Sequence, residues 1–405
     1  MNPSERRLIG YIAAAHALTH IIELTYPVLL TQIEDDFGIR AVISGAIATV
    51  FGLAFGTTAI PSGFLTDRLG SPRVLVYAFG GSAVMAFLVS LAPNAWFLAV
   101  ALAGLGFTIG LYHPAGLSAT AQGIRQRGLG LGLHGAAGNL GQAVAPVIAV
   151  GLAILVDWRL AYLVLAGLSA SLAIAILMAR LPVRGEVEVL SAEEVAEPPT
   201  EDHTQQANHL LLPLLVTYAA FVLSGVVYRG AITFLPQLFE EFVNDEFGAA
   251  FVTVALVLGA VGQLVGGSIS QRVRLERLAP VIGVCTVPAL LLTGVLTGAA
   301  LVLAASVFVF FYFANQPVFT GLIADYSPVG AVGRSYGFSF FAGFGLGSVG
   351  GIIAGAFVDQ WGTHSAFLGL TVFMAVTVGL SFVLWLLSEQ RHRDVEIATA
   401  VESAP

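Results

Sequence analysis

The sequence has little charge, no lysine and one cysteine. Of its 405 residues, 10% are charged and 57% are hydrophobic, and the mean hydropathy is +0.87. Soluble globular proteins carry about 25% charged residues, so this composition excludes a cytosolic enzyme and a disordered chain. The single Cys285 leaves no intramolecular disulfide, which excludes a secreted disulfide scaffold. All 17 basic residues are arginines, and no basic nucleic-acid footprint is present.

Long apolar runs make up most of the sequence. A membrane-spanning helix needs about 20 apolar residues, and twelve stretches reach that range. They are residues 8–31, 41–64, 74–92, 96–120, 128–153, 160–181, 210–237, 247–270, 279–298, 300–324, 335–357 and 363–388. The first run is longer than the apolar core of a cleavable signal peptide. Strand alternation is absent, so the sequence predicts an all-α membrane protein whose helices satisfy the backbone within lipid.

The arginines are distributed unevenly between the loops. If both termini are cytoplasmic, the cytoplasmic segments hold fourteen of the 17 arginines. The opposite side then holds only Arg40 and Arg159, and Arg229 lies within a span. Cytoplasmic loops carry the excess of arginine in membrane proteins. We therefore predict that both termini are cytoplasmic and that the number of spans is even.

An acidic segment divides the chain into two sets of six spans. Between Leu181 and His209 the sequence holds seven acidic residues and the pair Pro198–Pro199. Such a composition is typical of a solvated linker. We predict an N-terminal six-helix bundle (1–181), a cytoplasmic acidic linker (182–209), a C-terminal six-helix bundle (210–390) and a cytoplasmic tail (391–405).

The two sets of spans resemble each other. The stretch YHPAGLSATAQ in the fourth span matches NQPVFTGLIADYSP in the tenth, and VDWRLAYLVLAGL after the fifth matches VDQWGTHSAFLGL after the eleventh. The loop GFLTDRLGSPR (63–73) has a weaker copy, GSISQRVRLER (267–277). Such a duplication predicts two bundles related by an axis along the membrane normal, with a substrate site between them near the bilayer midplane.

The first of these loops carries a family resemblance. It fits the pattern G-x-L-x-D-R-x-G-x-x-R of the major facilitator superfamily, and with the duplication and topology the chain resembles that family over about residues 8–388. The resemblance implies twelve helices in two pseudo-symmetric six-helix bundles and secondary transport by alternating access. It also implies a gating role for Gly63, Asp67, Arg68, Gly70 and Arg73.

Three further motifs resemble a narrower branch. HALTH in the first span, YHPAG in the fourth and GAAGNLGQAVAP in the fifth are similar to the fosmidomycin-resistance proteins, which export small anionic antibiotics. The sequence departs from that branch at His20 and Ala115, where the branch has acidic residues. The resemblance implies an inner-membrane antiporter that uses the proton gradient for efflux of a small anionic or drug-like molecule, as in antibiotic resistance.

Ionisable side chains within apolar spans indicate a functional site, because burying a lone charge in lipid is costly. His16, His20 and Glu23 share one face of the first helix, at spacings of four and three residues. Arg229 lies in the seventh span at about the depth of Glu23, given a rise of about 1.5 Å per residue. The superfamily resemblance implies that both helices line the central cavity. We therefore expect Glu23 and Arg229 to face each other across it.

Two interpretations of this pair stay open. Glu23 and Arg229 form a permanent structural ion pair, or Arg229 binds an anionic substrate while Glu23, His20 and His16 exchange protons. The planar guanidinium suits carboxylate, phosphate or phosphonate, and histidine changes charge near neutral pH.

Further candidates for substrate binding are the other polar residues of the spans. These are Tyr112, His113, His134, Asn139, Gln142, Tyr228, Asn315 and Gln316, together with His16 and His20. Gly135, Gly138 and Gly141 are predicted to let a neighbouring helix approach closely.

The remaining expectations concern energy source, partners and alternatives. No phosphate-binding loop is present, so we expect no cofactor and a proton gradient as the driving force. We expect a small-molecule substrate, protons and the lipid bilayer as partners, and a monomer. No serine-nucleophile or metalloprotease motif points to an enzyme. The alternative cargo is a transition metal ion or its chelate, bound by His16, His20, Glu23 and His113.

Overall fold

The computed structural model describes residues 1–125, 127–179, 181, 201–328 and 332–402, and over this part of the chain its regular structure is helical. The N-terminal half contains α1 (Pro3–Val28), α2 (Leu30–Phe37), α3 (Ala41–Leu69), α4 (Ser71–Ser90), α5 (Ala95–Gly110), α6 (Tyr112–Gly123), α7 (Arg127–Leu155) and α8 (Trp158–Ala179). The C-terminal half contains α9 (Glu201–Phe242), α10 (Val252–Ser270), α11 (Leu275–Thr293), α12 (Gly298–Tyr326), α13 (Val332–Phe340), α14 (Gly350–Trp361) and α15 (Thr363–Glu402).

The prediction of twelve spans is confirmed. Twelve helical segments among the described residues are long and apolar enough to cross a membrane, six before the predicted linker and six after it. Most of the linker, 182–200, lies outside the described residues, and α9 begins at Glu201 within the range predicted as linker. Likewise α15 continues to Glu402, beyond the predicted start of the tail at residue 391.

The fourth span is broken near Pro114. Its two helices, α5 and α6, meet at Leu111. Proline has no N–H to donate to the carbonyl four residues before it, and its ring clashes with that carbonyl. The hydroxyl of Ser62 on α3 donates to the Leu111 carbonyl oxygen at 2.7 Å, which stabilises the break. Pro317, the matching proline of the C-terminal half, lies inside α12 without ending it.

The eleventh span contains an irregular segment that the apolar pattern does not reveal. Between α13 and α14 the chain forms a π-helix, Phe341–Gly345, and a 3₁₀-helix, Leu346–Val349. Both forms are short departures from α-helical geometry, and π-helices are frequent at functional sites. This segment is rich in glycine and packs directly on α3 and α9.

The two halves pack against each other at the end of the bundle opposite the chain termini. Gly45 on α3 is so close to Gly351 on α14 that a methyl group at Gly45 would collide with the Gly351 carbonyl oxygen. The Thr49 hydroxyl donates to the Ser348 carbonyl oxygen at 2.8 Å. Asp359 accepts hydrogen bonds from the N–H groups of residues 41 and 42, at 3.0 and 3.2 Å, and so caps the start of α3 from the other half. We call this region the far-end closure.

Candidate functional site

The ionisable side chains of the first and seventh spans are buried inside the protein. The exposed fractions of His16, His20, Glu23 and Arg229 are 7%, 7%, 1% and 5%. The three α1 residues share the helical face that packs against α7 and α9. The face carrying the histidines and Glu23 therefore points into the protein and not toward lipid.

These side chains form one continuous chain of contacts. His16 Nδ1 donates to the carbonyl oxygen of His134 at 2.7 Å, and His16 Nε2 lies 3.1 Å from His20 Nε2. His20 Nδ1 lies 2.8 Å from Glu23 Oε2. Glu23 Oε1 lies 2.7 Å from Nη2 of Arg229. The predicted partners Glu23 and Arg229 are thus in direct contact, and they join the N-terminal half to the C-terminal half.

The hydrogen bonds that link His16, His20 and Glu23 require one proton to be shared between Glu23 and the histidines. The His134 carbonyl can only accept, so His16 carries its hydrogen on Nδ1 and, when neutral, presents a lone pair at Nε2. His20 must then supply a hydrogen at its own Nε2. Its Nδ1 either donates to an ionised Glu23 or accepts from a protonated one. Both arrangements hold the same number of protons and differ only in where one of them lies.

Gln142 fits either arrangement. Its amide nitrogen lies 3.3 Å from His20 Nδ1. Because an amide can present nitrogen or oxygen to the same partner after a flip, Gln142 can donate to Nδ1 or accept from it. The contact places Gln142 beside the atom whose protonation changes.

Arg229 meets Glu23 closely but leaves part of its hydrogen-bonding capacity unused. The 2.7 Å contact does not have hydrogen-bond angles, and the buried Nε and Nη2 atoms of Arg229 make no hydrogen bond. Glu23 Oε1 is likewise without a hydrogen-bond partner. Buried groups of this kind are rare in proteins and call for an explanation. Two neighbouring N–H groups are what an arginine uses to bind a carboxylate or phosphate in bidentate fashion.

The fourth and fifth spans bring three more predicted residues to the cluster. The Tyr112 hydroxyl donates to the carbonyl oxygen of Ile12 at 2.9 Å and lies 3.4 Å from His134 Nδ1. The ring of His134 stacks on that of His16 at a centroid distance of 4.0 Å. His113 has a centroid distance of 5.3 Å to His16, and its buried Nε2 has no partner.

The glycines of the fifth span explain how the rings fit. A methyl group at Gly138 would collide with the His16 ring, and one at Gly141 would collide with the backbone of Ala17. The predicted close approach is confirmed at these two positions. It is wrong at Gly135, where a methyl group would meet no atom within 4 Å.

Several predicted residues are not brought into this cluster. Asn315 donates from its amide to the carbonyl oxygen of Ala279 at 3.4 Å, so it pairs within the C-terminal half. Gln316 and Asn139 are partly exposed, and no side-chain hydrogen bond links either of them to the histidines. Tyr228 stacks on Tyr312 at 5.5 Å inside the C-terminal half, with its ring 5.8 Å from the Arg229 guanidinium carbon. Tyr228 thus touches the edge of the site, whereas the two asparagines and Gln316 lie outside it.

Three phenylalanines at the site were missed by sequence reasoning. The guanidinium carbon of Arg229 lies 6.0 Å from the ring centre of Phe55 and 5.5 Å from that of Phe344. Phe340 stacks on His113 at 5.8 Å. Phenylalanine is also the ordinary lipid-facing residue of a span, so nothing in the sequence separates these three from the other phenylalanines.

The predicted gating segment is mostly helical. Gly63, Asp67 and Arg68 lie on α3, which ends at Leu69, and Gly70 makes the whole turn with a φ of 79°. Glycine adopts that angle without steric cost. Asp67 and Arg68 are exposed, and Arg73 on α4 donates to the Leu69 carbonyl oxygen at 3.3 Å. The gating role of this segment stays a prediction.

The histidines also lie close enough together to bind a transition metal ion, the alternative cargo. One ring nitrogen from each of His16, His20 and His113 lies within 4.8 Å of the others. Glu23 contacts His20 and the positively charged Arg229 at once. A cation at this place would therefore be close to a fixed positive charge.

The family model of the Major Facilitator Superfamily matches residues 12–351. The hexuronate transporter of Bacillus subtilis (strain 168) is 23% identical over 425 residues, which cover 96% of this chain and 97% of that protein. The fosmidomycin resistance protein of Escherichia coli (strain K12) is 23% identical over 409 residues, covering 96% of this chain and 94% of that protein.

The fold is similar to that of solved structures. The crystal structure of a bacterial homologue of the human lysosomal transporter Spinster, inward-facing and unoccupied, has a TM-score of 0.80 to this chain. The match covers 96% of this chain and 98% of that one, at 13% sequence identity. The expected arrangement of twelve helices is thereby confirmed.

Proposed function

Because the chain belongs to the Major Facilitator Superfamily and is a multi-pass secondary transporter of small molecules, we propose that it carries a small organic anion and that proton movement drives the transport. Arg229 binds the anion, and Glu23 exchanges the coupled proton with His20 and His16. We place the protein in the inner (cytoplasmic) membrane with both termini cytoplasmic.

One observation carries this proposal: the buried guanidinium of Arg229 has two nitrogens without hydrogen bonds, Nε and Nη2, and Nη2 contacts Glu23 Oε1 only as an ion pair at 2.7 Å. A purely structural ion pair would be expected to use both nitrogens in hydrogen bonds, because unpaired buried donors cost stability. A carboxylate or phosphonate that displaces Glu23 from Nη2 would bond to Nε and Nη2 at once. The hexuronate transporter and the fosmidomycin resistance protein are named for compounds that carry such groups.

The charge of the cluster supports an anion as cargo. With its shared proton, the group of Glu23, His20 and His16 is neutral in either arrangement, so the charge of Arg229 is not compensated. An uncompensated buried charge is costly. An anion at Arg229 removes that cost, whereas a metal ion would add to the positive charge.

The contact between Arg229 and Glu23 also links anion binding to proton binding. An anion that occupies Arg229 takes the positive partner away from Glu23. An isolated buried carboxylate favours its protonated form, so Glu23 then retains a proton more strongly. The anion and the proton therefore stabilise each other's binding. This linkage favours cotransport of the two, and not the antiport that the exporter resemblance implies.

Glu23→Gln in proteoliposomes tests the proposal. We expect at least one of benzoate, glucuronate and methylphosphonate to carry protons into wild-type vesicles, recorded by a trapped pH-sensitive dye. Glutamine cannot exchange the proton, so Glu23→Gln abolishes this signal yet preserves exchange of labelled anion between the two sides. Glu246→Gln, at an exposed position of the C-terminal half, is the matched control.

The other outcomes identify the competing functions. Loss of both coupling and exchange in Glu23→Gln indicates a structural ion pair. Proton movement opposite to the anion indicates antiport. Transport of Zn²⁺ or Ni²⁺ without transport of any of the three anions establishes the transition-metal alternative and overturns the proposal.

A further inference from the structure

We propose that the anion carried at Arg229 has a flat, apolar body, as in a small aromatic carboxylate, and that sugar acids are poor substrates. This inference rests on the proposed function, since it assumes that Arg229 binds the anionic group. It concerns the remainder of the molecule, which must lie against the side chains around Arg229.

Aromatic rings surround the guanidinium. The rings of Phe55, Tyr228 and Phe344 come from three different helical segments, and their centres lie 5.5–6.0 Å from the guanidinium carbon. Phe55 and Phe344 also contact each other edge to face, with centroids 5.8 Å apart. Phe55 belongs to the N-terminal half and Phe344 to the π-helix of the C-terminal half. The two halves therefore both supply apolar surface next to the anion site.

Phe55 and Phe344 also pack beside His113. Together with Phe340 and three small residues they enclose a space next to His113 that is too small to hold a water molecule. The His113 ring lies edge-on to Phe55 at 5.6 Å and stacks on Phe340 at 5.8 Å. His113 Nε2 is the polar atom of this lining that lacks a hydrogen-bond partner. Phe55 thus contacts both the guanidinium of Arg229 and the ring of His113.

The chemistry of the lining discriminates between classes of anion. A sugar acid carries a hydroxyl group on nearly every carbon, and each hydroxyl needs a partner once water is removed. The lining offers aromatic faces and one imidazole nitrogen. An aromatic acid presents a ring that packs against aromatic neighbours.

Two of the rings belong to an irregular part of the eleventh span. Phe344 lies within the π-helix Phe341–Gly345, and Phe340 is the last residue of α13 directly before it. π-Helices are rare and are frequent at functional sites. This position agrees with a role of the two rings in the site.

A comparison of binding titrations tests the inference. The probes are 4-hydroxybenzoate, benzoate and glucuronate, each titrated against purified full-length protein with thermal stabilisation as the readout. We expect 4-hydroxybenzoate and benzoate to half-saturate at concentrations at least about tenfold lower than glucuronate, since even one unpaired hydroxyl is worth about that factor. Phe344→Leu, which keeps an apolar side chain but loses the ring, should reduce this preference. Phe107→Leu, at an exposed position on α5, should not.

Further variants distinguish a folding defect from failure of this inference and from failure of the proposed function. If Phe344→Leu does not fold, Phe340→Leu provides the same comparison, and Phe344→Tyr should keep the preference because it keeps the ring. Glucuronate binding as tightly as benzoate, with both lost in Arg229→Lys, overturns this inference and leaves the proposed function standing. An unchanged preference in Phe344→Leu also overturns it. If no anion stabilises the wild-type protein, the proposed function itself fails.

Discussion

Among the arginines whose burial the structure describes, Arg229 alone is buried, and it lies within a span. Its charge cannot be removed at any physiological pH, because arginine does not deprotonate in proteins. It must therefore be balanced by a neighbouring group or by a ligand. Glu23 contacts Nη2 at 2.7 Å as an ion pair, and neither Nη2 nor Nε of Arg229 makes a hydrogen bond.

Replacing the guanidinium by an ammonium group should expose its role. Arg229→Lys keeps the charge but loses the bidentate fork, so we expect the affinity for anions to fall by about tenfold or more. The measurement is the half-saturating anion concentration in thermal-stabilisation titrations. Arg40→Lys, at an exposed position, should leave the affinity unchanged. Equal affinity in Arg229→Lys and wild type would remove the proposed anion site.

The ionisable residues of the site give the clearest signal in the sequence. His16, His20, Glu23 and Arg229 are recognisable because ionisable residues are rare in spans and usually have a function. A polar residue such as Asn315 gives a weaker signal, since an amide can pair with a backbone carbonyl of its own half. The phenylalanines gave no signal, because an apolar residue in a span can face lipid, core or ligand alike.

At the level of helices, the irregular eleventh span is the main feature that apolar periodicity did not predict. Mean hydropathy is the same for an α-helix and a π-helix, so the bounds of the span could be estimated but not its internal geometry. The glycines of this span allow close packing, since Gly351 and Gly350 lie against backbone atoms of α3 and α9. Proline alone is a partial signal, because the fourth span breaks near Pro114 whereas Pro317 lies inside α12 without ending it.

The cap that Asp359 places on α3 is a contact between halves, and its removal should weaken the far-end closure. Asp359→Asn loses the negative charge at a helix N-terminus, where such a charge is worth about 0.3–1 kcal/mol. We expect single cysteines placed near Ala41 to become more accessible to thiol reagents, in a Cys285→Ser background. The repeat-related Asp157 accepts instead from the N–H of Arg159 in its own half. Asp157→Asn should therefore leave accessibility unchanged, and an equal response of both variants would contradict the assigned role.

For the molecule as a whole, the apolar runs were sufficient to predict twelve spans, since each must cross about 30 Å of hydrocarbon. Which ends face the cytoplasm stays a prediction from the arginine distribution. How the halves meet could not be read from the sequence, because the far-end closure depends on contacts between residues about 300 positions apart, such as Thr49 with Ser348.

The far-end closure should depend on pH through Glu34 on α2, outside the spans. Burial, opposed by the Ser44 hydroxyl and assisted by the nearby carboxylates of Asp359, Asp35 and Glu241, raises the pKa of Glu34 to about 7. A carboxyl group whose pKa is raised in the closed state binds its proton more tightly there than in water. Closure is therefore favoured most at acid pH and weakens as the pH rises from the ordinary pKa of 4.5 to about 7.

Cysteine accessibility near Ala41, measured between pH 5 and pH 8.5, tests this dependence. We expect accessibility to increase with pH in the wild-type chain and to lose most of that increase in Glu34→Gln, which stays uncharged. Glu246→Gln serves as the control because Glu246 is exposed in the C-terminal half. Accessibility that falls with rising pH would show that protonation of Glu34 does not favour closure.

The Glu23–Arg229 contact has one carboxylate and one guanidinium, and each comes from a different half of the polypeptide. On the proposed function, the residues that exchange the coupled proton, His16, His20 and Glu23, all belong to the first half. The guanidinium of Arg229, which binds the anion, belongs to the second half. Changes in the second half can then alter recognition of the anionic group, while the proton-exchanging residues of the first half stay the same. Hybrids that join the first half of this chain to the second half of a relative are therefore a direct route to carriers with a new cargo and the same energy source.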